Sequence, residues 1–542
     1  MKRVLMLAAE NAALAGAKVG GMADVIGDLP AALCNEHVVV DVMMPSYGFL
    51  VSQLNARFIA DVSVPFRGQN WWVKLYIAPH PQVTGSAIYL LDHPSFDARG
   101  AIYTSNNDGR PFADDADKFA LMAAAAAEMI CQAMVDKPEV LHLHDWHCGV
   151  LAILRAYDAR YQQLKAIHSV YSVHNLSIQG QRPLSNEHSS LQAWFPKLYQ
   201  QLTAEQLAVI NDPHHPQCVN PMRAAINLTD AIHFVSPSYA EEVLRPSDAA
   251  IGQFGGEGLE RDIARRAEAG QVHGILNGCF YDDAKVDSAK LTAATSSEAL
   301  LQVLDATELC VLTNMGKSQW VASQDQIALQ RINHLRRIAQ LHQGDESVPI
   351  SMLTSVGRLT NQKVALLLAL MPDGRYAIEH LLQAAQAAEP QQREVVLIVL
   401  GSGDADIERQ LRLIAGRCPQ LLFINGFDLP LSQLLYQHGD LFVMPSSFEP
   451  CGISQMLAMK AGQPCIVHGV GGLKDTVSHQ RDGWVFNGET IDVQIQAMLA
   501  TVSEAVALTS QPQFQSMRQH AVAKRFTWQK VAKAYCEKLY GF

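Results

Sequence analysis

Short apolar runs rich in β-branched residues recur along the first half of the chain, and each ends in polar or turn residues. Enough chain for a helical crossover separates each run from the next. Near-continuous apolar strands of this kind are typical of a parallel sheet that helices cover on both faces. The runs predicted as strands in this half are 3–9, 37–45, 87–93, 139–146, 169–175 and 231–238.

A second series of similar runs follows after a less regular stretch, 280–345, which is polar at first and then helical in pattern. The alternation of strand-like and helical segments predicts an α/β fold with two doubly wound halves. We expect an N-terminal domain over 1–273, a C-terminal domain over 274–525, and an amphipathic helix over 526–542. The strands predicted for the second half are 351–358, 394–404, 420–427, 440–447 and 464–472.

The first 30 residues allow two interpretations. Lys2 and Arg3 followed by "VLMLAA" resemble the start of a secretory signal, and "AGA" at 15–17 resembles a cleavage site. The apolar centre is only six residues long before Glu10, which is short for a signal. The pattern therefore favours a buried strand over 3–9, then a loop, then a helix from about Asp24.

Composition narrows the class of protein. The 542 residues are 49% hydrophobic and 18% charged, which is enough apolar material for two cores. A formal charge of −11 argues against general nucleic-acid binding, which needs a basic face. The ten cysteines form no C-x-x-C pair, and no run of about 18 apolar residues suggests a membrane span. We expect a cytoplasmic protein with reduced thiols, no membrane partner and no nucleic-acid partner.

Polar clusters follow several of the predicted strands, where ligands bind in sheets of this class. Lys18 to Gly21 is either an ordinary glycine turn or a loop that brings backbone close to an anion. "HLHDWHCG" raises the possibility of a metal site at His142, His144 and His147. Alternation along the strand directs His142 and His144 to one face and the residues between them to the other. A role for Asp145 as a hydrogen-bond acceptor at the strand end is therefore favoured over a metal site.

Two further clusters carry a histidine and a pair of cations. His174 ends a strand in "VYSVHNLSIQG", where it is either a structural residue or a catalytic one. Arg358 and Lys363 lie in "SVGRLTNQK", with the lysine expected in the first turn of the next helix. Two cations beside a helix N-terminus suit a diphosphate, and the alternative is a solvated basic surface.

The last two clusters are glycine-containing loops that lead into helices. Glu449 precedes Gly452 and Ser454 in "SSFEPCGISQM", an arrangement that offers a carboxylate for hydroxyl groups and amides for a phosphate. "GVGGLKDT" over 469–476 is the other loop. Neither loop has P-loop spacing, and the first strand is not followed by G-x-G-x-x-G. Nucleoside triphosphatase and ordinary dehydrogenase functions are therefore disfavoured.

Six of these stretches together resemble the bacterial glycogen synthases and plant starch synthases in order and approximate spacing. The resemblance extends from about residue 3 to residue 540 and is weakest over 280–345. The stretches that carry it are "KVGGMADVIGDLPAAL", "HDWH", "VHNLSIQG", "GILNG", "VGRLTNQK" and "FEPCGISQMLAMKAGQPCIVHGVGGLKDTV".

The resemblance implies the GT-B architecture, in which two Rossmann-like domains face a cleft and the last helix crosses back to the N-terminal domain. It also implies an enzyme that transfers glucose from a nucleotide-glucose to the non-reducing end of an α-1,4-glucan with retention of configuration. Such an enzyme needs no metal and no other cofactor, because protein cations stabilise the departing diphosphate. Its partners are the nucleotide-sugar donor and a glucan acceptor such as glycogen or a maltooligosaccharide. ADP-glucose is the expected donor.

The resemblance also assigns roles to individual residues. Arg358 and Lys363 are expected to neutralise the diphosphate, and Glu449 to hold the glucose hydroxyls. His174 is expected beside the anomeric carbon, with Asp145 positioning the sugar or the acceptor. The residues expected to contact the donor are Lys18, Gly20, Gly21, Cys451, Gly452, Ile453, Ser454 and Phe427.

Some positions depart from the family pattern. Met22 replaces the usual leucine, Ser454 the usual threonine, and Phe427 stands where a tyrosine is expected near the nucleobase. "NGCFYDD" lacks the usual continuation after "LNG". The alternatives are therefore UDP-glucose as donor, another GT-B glucosyltransferase with a sucrose- or trehalose-type acceptor, and a non-catalytic glucan-binding relative. Retention of both cations and Glu449 argues against the last of these.

Overall fold

The structure is a computed structural model that describes residues 2–97, 101–104, 111–281, 297–317, 323–341, 350–391 and 393–542. The described residues form two compact units. The first consists of Met1–Ser247, Gly255–Phe280 and Thr527–Phe542, and the second of Asp248–Phe254 and Tyr281–Phe526.

The strands of the described residues fall into two main sheets and one short ribbon. In chain order they are β1 (Lys2–Leu7), β2 (Val38–Pro45), β3 (Arg57–Phe66), β4 (Gln69–Pro79), β5 (Ala87–Asp92), β6 (Val140–His144), β7 (His168–Val173), β8 (Arg182–Pro183), β9 (Cys218–Val219), β10 (Ala231–Phe234), β11 (Val272–Gly274), β12 (Ile350–Val356), β13 (Glu394–Gly401), β14 (Leu421–Asn425), β15 (Leu441–Met444), β16 (Cys465–His468) and β17 (Gly483–Phe486).

Helices connect most of these strands. Those described are α1 (Gly21–Asn35), α2 (Leu50–Gln53), α3 (Pro111–Cys131), α4 (Asp145–Tyr157), α5 (Leu191–Trp194), α6 (Pro196–Gln201), α7 (Ala204–Ile210), α8 (Pro221–Leu228), α9 (Pro237–Glu242), α10 (Glu260–Glu268), α11 (Ser297–Lys317), α12 (Ser323–Leu341), α13 (Asn361–Val364), α14 (Ala377–Ala388), α15 (Ala405–Arg417), α16 (Leu429–His438), α17 (Ser454–Lys460), α18 (Gly471–Thr476), α19 (Ile491–Leu508), α20 (Pro512–Ala523) and α21 (Trp528–Tyr535).

The sheet of the first unit has the strand order β11-β10-β7-β6-β1-β2-β5-β4-β3 within the described residues. β1 pairs in parallel with both β2 and β6, so residues 2–7 form a strand inside the sheet, as the favoured interpretation of the N-terminal stretch predicts. The helix that follows begins at Gly21, three residues before the predicted start at Asp24.

β4 is an exception to the expected parallel sheet, because it runs antiparallel to both β3 and β5. The hairpin that joins β3 to β4 turns at Arg67 and Gly68, with φ of 55° and 74°. Positive φ at both central residues is the geometry of the tight turn that matches strand twist. Since this turn lacks the usual Asn-Gly or Asp-Gly signal, the sequence analysis missed both strands.

The sheet of the second unit has the order β14-β13-β12-β15-β16-β17, and all its described pairings are parallel. Its strands are buried on both faces. In β13, Val395, Leu397 and Val399 face one hydrophobic core, whereas the alternate residues Val396, Ile398 and Leu400 face the other. Burial on both faces explains why this strand is a continuous apolar run in the sequence.

In each sheet the strand order reverses beside the first strand of the unit. β1 leads to β2 on one side and has β6 on the other, and β12 likewise has β13 on one side and β15 on the other. Connections diverge at such a reversal, which leaves a crevice at the carboxyl ends of the two strands where ligands bind. The two candidate regions are therefore the segments that follow β1 and β6, and those that follow β12 and β15.

The C-terminal helix α21 packs on α1 in the first unit. The Trp528 indole donates to Asp28 Oδ2 at 3.1 Å, and the backbone of Thr527 forms an isolated β-bridge with that of Cys279. The predicted join at 274–278 begins at the end of β11, an edge strand that the sequence analysis did not predict.

The atypical stretch 280–345 contains α11 and α12, while its residues 282–296, 318–322 and 342–345 lie outside the described residues. One described helix, α19, is long and apolar enough by length and composition alone to cross a membrane. Ile495, Met498 and Val502 of this helix are buried in a core of the second unit, which is the packing of a core helix.

Candidate functional site

The segment that follows β1 in the first unit is organised by a buried glutamate. Glu10 is 4% exposed, and its Oε2 accepts the backbone N–H groups of Val19 at 2.8 Å and Gly20 at 2.6 Å. Its Oε1 accepts the Tyr103 hydroxyl at 2.7 Å. The predicted glycine loop is therefore bonded to a carboxylate that the sequence analysis treated only as an interruption of the apolar run.

The loop itself carries an exposed cation next to a helix start. Lys18 is about half exposed and pairs with Asp24 in the first turn of α1. Gly20 caps α1 in an extended conformation, and Gly21 opens the helix. A Cβ on Gly21 would meet no atom within 4 Å, so the space beside this residue is open.

The second strand at this reversal, β6, ends at His144, and the next residue, Asp145, has a left-handed backbone with φ of 53°. Asp145 Oδ1 accepts the backbone N–H of His174 at 2.7 Å and that of Asn175 at 3.4 Å. Burial raises the pKa of Asp145 to about 7, although the two backbone hydrogen bonds oppose the rise. The carboxyl group thus ties the end of β6 to the end of β7.

His174 and the β6 histidines form two separate sets of hydrogen bonds rather than an array of free ligands. His174 Nε2 lies 3.0 Å from His144 Nδ1, and His142 Nε2 lies 2.7 Å from the Ser172 hydroxyl. His142 Nδ1 lies 2.9 Å from the hydroxyl of Tyr540, near the C-terminus. Both ring nitrogens of His142 are occupied, which disfavours the metal interpretation of this cluster.

The protonation states of His144 and His174 follow from their burial and from one unpaired nitrogen atom. Burial lowers the pKa of His174 to about 3 and that of His144 well below its usual value, so both rings are neutral at pH 7. Nε2 of His144 is buried and has no hydrogen-bond partner among the described residues. Since a buried N–H is rarely left unpaired, the proton of His144 lies on Nδ1 and is donated to His174 Nε2. His174 then carries its own proton on Nδ1.

In the second unit, the candidate cations follow β12. Arg358 lies two residues beyond the strand, is exposed, and forms no ion pair within the described part of the chain. Lys363 lies in the short helix α13, and its Nζ is 2.6 Å from Oε2 of Glu449. The strand-end position and the helical position predicted for the two cations are both observed.

Glu449 reaches Lys363 from the segment that follows β15. The carboxylate is buried and also accepts the Ser446 hydroxyl at 3.4 Å. Its backbone carbonyl accepts the N–H of Gly472 at 3.1 Å. Gly471 has φ of 43°, and a Cβ there would approach the Glu449 carbonyl oxygen to 2.1 Å, so this position requires glycine.

The residues after Glu449 lead into α17, which begins at Ser454. Cys451 is buried, and Gly452 has a left-handed backbone with φ of 74°. Ile453 occupies the position before the helix and makes no side-chain cap. Phe427 follows β14, and 73% of its side chain is exposed, so one ring face is open to a planar ligand.

The structure thus gathers the proposed residues into two groups. Lys18, Gly20, Gly21, Asp145 and His174 belong to the first unit, and the other candidates to the second. Within the groups, Lys363 contacts Glu449 and Asp145 contacts the backbone of His174. Glu10 and Tyr103 were missed. The available signal for Glu10 was a lone acidic residue directly after an apolar strand.

Comparisons with known proteins agree with this arrangement. A family model described as the starch synthase catalytic domain matches residues 3–265, and one described as glycosyl transferases group 1 matches residues 353–504. A glycogen synthase from Streptococcus equi subsp. zooepidemicus is 32% identical over 99% of this chain and 98% of its own length. One from Exiguobacterium sibiricum is 30% identical over 96% of this chain and 95% of its own.

A solved structure gives the fold. The catalytic domain of starch synthase IV from Arabidopsis thaliana, bound to ADP and acarbose, matches with a TM-score of 0.71 at 23% identity. The match covers 100% of this chain and 98% of the other. The predicted GT-B fold class is therefore confirmed. The full-length similarity to glycogen synthases shows that this chain belongs to the glycogen synthase family of glycosyltransferases.

Proposed function

We propose that this enzyme transfers glucose from ADP-glucose to the non-reducing end of an α-1,4-glucan, with retention of configuration and without a metal ion. The observation that carries the proposal is the Lys363–Glu449 pair, which together with Arg358 comes from the segments that follow β12 and β15 at the strand reversal of the second unit. Both cations that a departing diphosphate needs are present, together with an acceptor for sugar hydroxyls.

The geometry of the second unit supports a division of roles. Lys363 Nζ lies 2.6 Å from the Glu449 carboxylate, so a ligand held by both groups has its charged part and its hydroxyls within a few atoms of each other. A diphosphate bonded to glucose has this pattern. Arg358 binds two phosphate oxygens at once, while Lys363 supplies a point charge. The amides of Cys451, Gly452, Ile453 and Ser454 contact the sugar and phosphate, and Phe427 stacks on the nucleobase.

The first unit contributes mostly neutral hydrogen-bonding groups. His174 is neutral at pH 7 and its Nδ1 proton can be donated to a sugar oxygen. Asp145, with a pKa of about 7, positions the sugar or acceptor, and Lys18 with Gly20 and Gly21 approaches the donor. Neutral groups suit an uncharged glucan, since they hydrogen-bond to hydroxyls without a separate counter-ion.

The chemistry proceeds through a transition state that resembles an oxocarbenium ion, while negative charge grows on the leaving oxygens. Cations already in place stabilise that charge. A retaining hydrolase uses a second carboxylate as nucleophile, but the eighth position after Glu449 is Leu457. We therefore favour attack from the same face, in which the departing phosphate accepts the proton of the acceptor hydroxyl.

One assay tests the proposal. The purified protein is incubated with glycogen and either ADP-glucose or UDP-glucose labelled in the glucose, with and without EDTA. We expect label in the polymer, more from ADP-glucose than from UDP-glucose, and equal rates with and without EDTA. Incorporation that EDTA abolishes contradicts metal independence, and faster transfer from UDP-glucose reverses the donor assignment.

Acceptor controls separate the related functions. Fructose and glucose 6-phosphate replace glycogen in parallel reactions, because sucrose- and trehalose-type enzymes transfer to those sugars. We expect no product with either. No transfer from either donor to any acceptor overturns the proposed activity and favours a glucan-binding role. For the location, none of the ten cysteines, all of which lie in the described residues, forms a disulfide, which supports a cytoplasmic, reducing environment.

A further inference from the structure

Glu10 is a buried carboxylate that has no place in the roles given so far. It lies three residues beyond the end of β1. Its hydrogen-bond partners in the described residues are two backbone N–H groups and a hydroxyl rather than a cation. A buried carboxylate is costly to desolvate, and it persists where hydrogen bonds compensate it. Three such bonds are present, two to loop amides and one to Tyr103.

The two amides belong to the loop that carries Lys18. Val19 and Gly20 donate to the same oxygen, Oε2, at 2.8 and 2.6 Å. These bonds fix the backbone on the C-terminal side of Lys18 and at the cap of α1, where no side-chain cap is present. The carboxylate also lies next to the positive end of a 15-residue helix, which favours a negative charge.

The other oxygen anchors Glu10 to the protein interior. Tyr103 donates to Oε1 at 2.7 Å, and its hydroxyl lies 3.2 Å from Nε2 of His147. Burial and the nearby Glu10 raise the pKa of Tyr103 well above its usual value, so the phenol keeps its proton and remains a donor. Hydrogen bonds therefore connect His147, through Tyr103 and Glu10, to the backbone amides of Val19 and Gly20.

We propose that Glu10 is a positioning residue for donor binding, which holds the Lys18–Gly21 loop in the conformation that receives the nucleotide-sugar. Because its amide is bonded to Glu10, Gly20 acts through its conformation and lack of a side chain, and the amide is not offered to the donor phosphates. The inference rests on the proposed function, since it names the loop's ligand as the nucleotide-glucose donor.

The conservative variant Glu10→Gln distinguishes hydrogen bonding from charge. A glutamine amide oxygen can accept both loop amides, and its NH₂ can donate to Tyr103. The Tyr103 hydroxyl can then donate to Nε2 of His147 once the proton of that ring moves to Nδ1. Glu10→Ala removes all three bonds and leaves two loop amides without their acceptor. The loss of hydrogen bonds to a charged group is expected to weaken donor binding about tenfold or more.

The test measures donor KM and kcat separately for Glu10→Ala, Glu10→Gln and the control Glu268→Ala, an exposed glutamate at the end of α10. We expect Glu10→Ala to raise the donor KM at least about tenfold. Glu10→Gln and Glu268→Ala should stay within about twofold of the parent enzyme. The KM for glycogen should be unchanged in all three.

Hydrogen exchange of the Val19 and Gly20 amides gives a readout that does not depend on activity, and protection of amides elsewhere in the chain reports whether Glu10→Ala is folded. We expect faster exchange of these amides in Glu10→Ala and near-parental exchange in Glu10→Gln. Equal damage from both variants overturns the positioning role and points to the charge itself. An unchanged donor KM in Glu10→Ala also overturns it.

Failure of the proposed function is distinguishable from failure of this inference. If the parent enzyme transfers no glucose, the proposed function is wrong, whatever the variants do. Calorimetric titration with ADP then still measures nucleotide binding by the parent protein and by the variants. ADP affinity that Glu10→Ala leaves unchanged overturns the inference independently of transfer.

Discussion

The strand reversals of the two units expose different chemistry on the same topology. In the first unit, the segments after β1 and β6 hold their polar groups in internal hydrogen bonds, with neutral histidines and a carboxyl group whose pKa is about 7. In the second, the segments after β12 and β15 present Lys363 paired to Glu449, and Arg358, which forms no ion pair within the described residues. The first edge therefore holds mostly neutral groups, whereas the second holds two cations.

The difference shows what the strand ends at each reversal, called here the first and second edges, require from the surrounding protein. Neutral groups are obtained by burial, which lowers the pKa of histidines and raises that of Asp145. Cations for a phosphate need exposure, because an unpaired buried charge is expensive. The first edge is therefore coupled to the stability of its unit. In the second, Arg358 can change with little effect on folding, whereas Lys363 neutralises the buried Glu449.

The largest effect we expect is acid sensitivity confined to the first unit. Among its buried histidines with lowered pKa values, which also include His80, are five on or directly after β6, β7 and β10: His142, His144, His147, His174 and His233. The pKa values of His147, His174 and His233 are about 3, 3 and 4, against about 6.5 in an unfolded chain. Below pH 6.5 the unfolded state binds more protons, so the free energy of unfolding falls as pH falls.

Asp145 acts in the opposite direction over part of this range. Its raised pKa means that the folded state holds the extra proton between about pH 4 and 7, which favours folding as pH falls. One carboxyl group does not offset five histidines, and the net loss at pH 5 is expected to reach several kcal/mol. In the second unit, burial lowers the pKa of His468.

Hydrogen exchange of the full chain at pH 7 and pH 5, corrected for intrinsic rates, measures this difference. Peptides from β6, β7 and β10 should lose protection at pH 5, while those from β12 to β16 keep it. Earlier opening of the second unit would reverse the comparison.

The next effect is a loss of turnover from the cationic edge, with a loss of stability only where the buried Glu449 loses its partner. Arg358→Ala and Lys363→Ala each remove a group proposed to face the leaving diphosphate, and each should lower kcat about a hundredfold, or about 3 kcal/mol. Arg358→Ala should leave the melting temperature unchanged, whereas Lys363→Ala should lower it because Glu449 stays buried without its cation. Arg409→Ala is the matched control, because this arginine is exposed and pairs with Asp406 on its own helix. Steady-state assays with melting curves check both parts.

Near-parental turnover in both variants would contradict the assignment of the cationic pair. A melting temperature that drops in Arg358→Ala would instead show that Arg358 is not independent of folding.

The smallest effect concerns the nucleobase. Phe427→Ala removes a ring that is mostly exposed, so it should cost little stability but lose a stacking contact worth about 1 kcal/mol. The donor KM should rise about fivefold, with kcat unchanged. Leu413→Ala, at another exposed apolar side chain, is the control in the same kinetic assay. A changed kcat with constant donor KM would remove Phe427 from the base site.

The predictions from sequence succeeded where one physical constraint dominated. Strands such as β13 are buried on both faces, so their apolar runs predicted them directly. Lys363 was placed in a helix and Glu449 beyond a strand, as observed. What brought these two side chains together was strand order, which the sequence implied only through its resemblance to a family.

Features that depend on distant partners were missed. The β3–β4 hairpin turns at Arg67 and Gly68, and nothing local marks it strongly. Glu10 lies 93 positions from Tyr103, so its role depends on a contact that no local pattern contains. The histidines of β6 suggested metal ligation because the sequence does not show their actual partners. These partners are Ser172 and His174, on or next to β7, and Tyr540 near the C-terminus.

The bond between His142 and Tyr540 joins positions 398 residues apart. Loss of either partner leaves a buried polar group unpaired, whereas replacing both with apolar groups of suitable shape removes the penalty. The effects of substitutions at these two sites on stability should therefore be non-additive. Among natural relatives the two positions should covary, because selection acts on a single hydroxyl–imidazole contact.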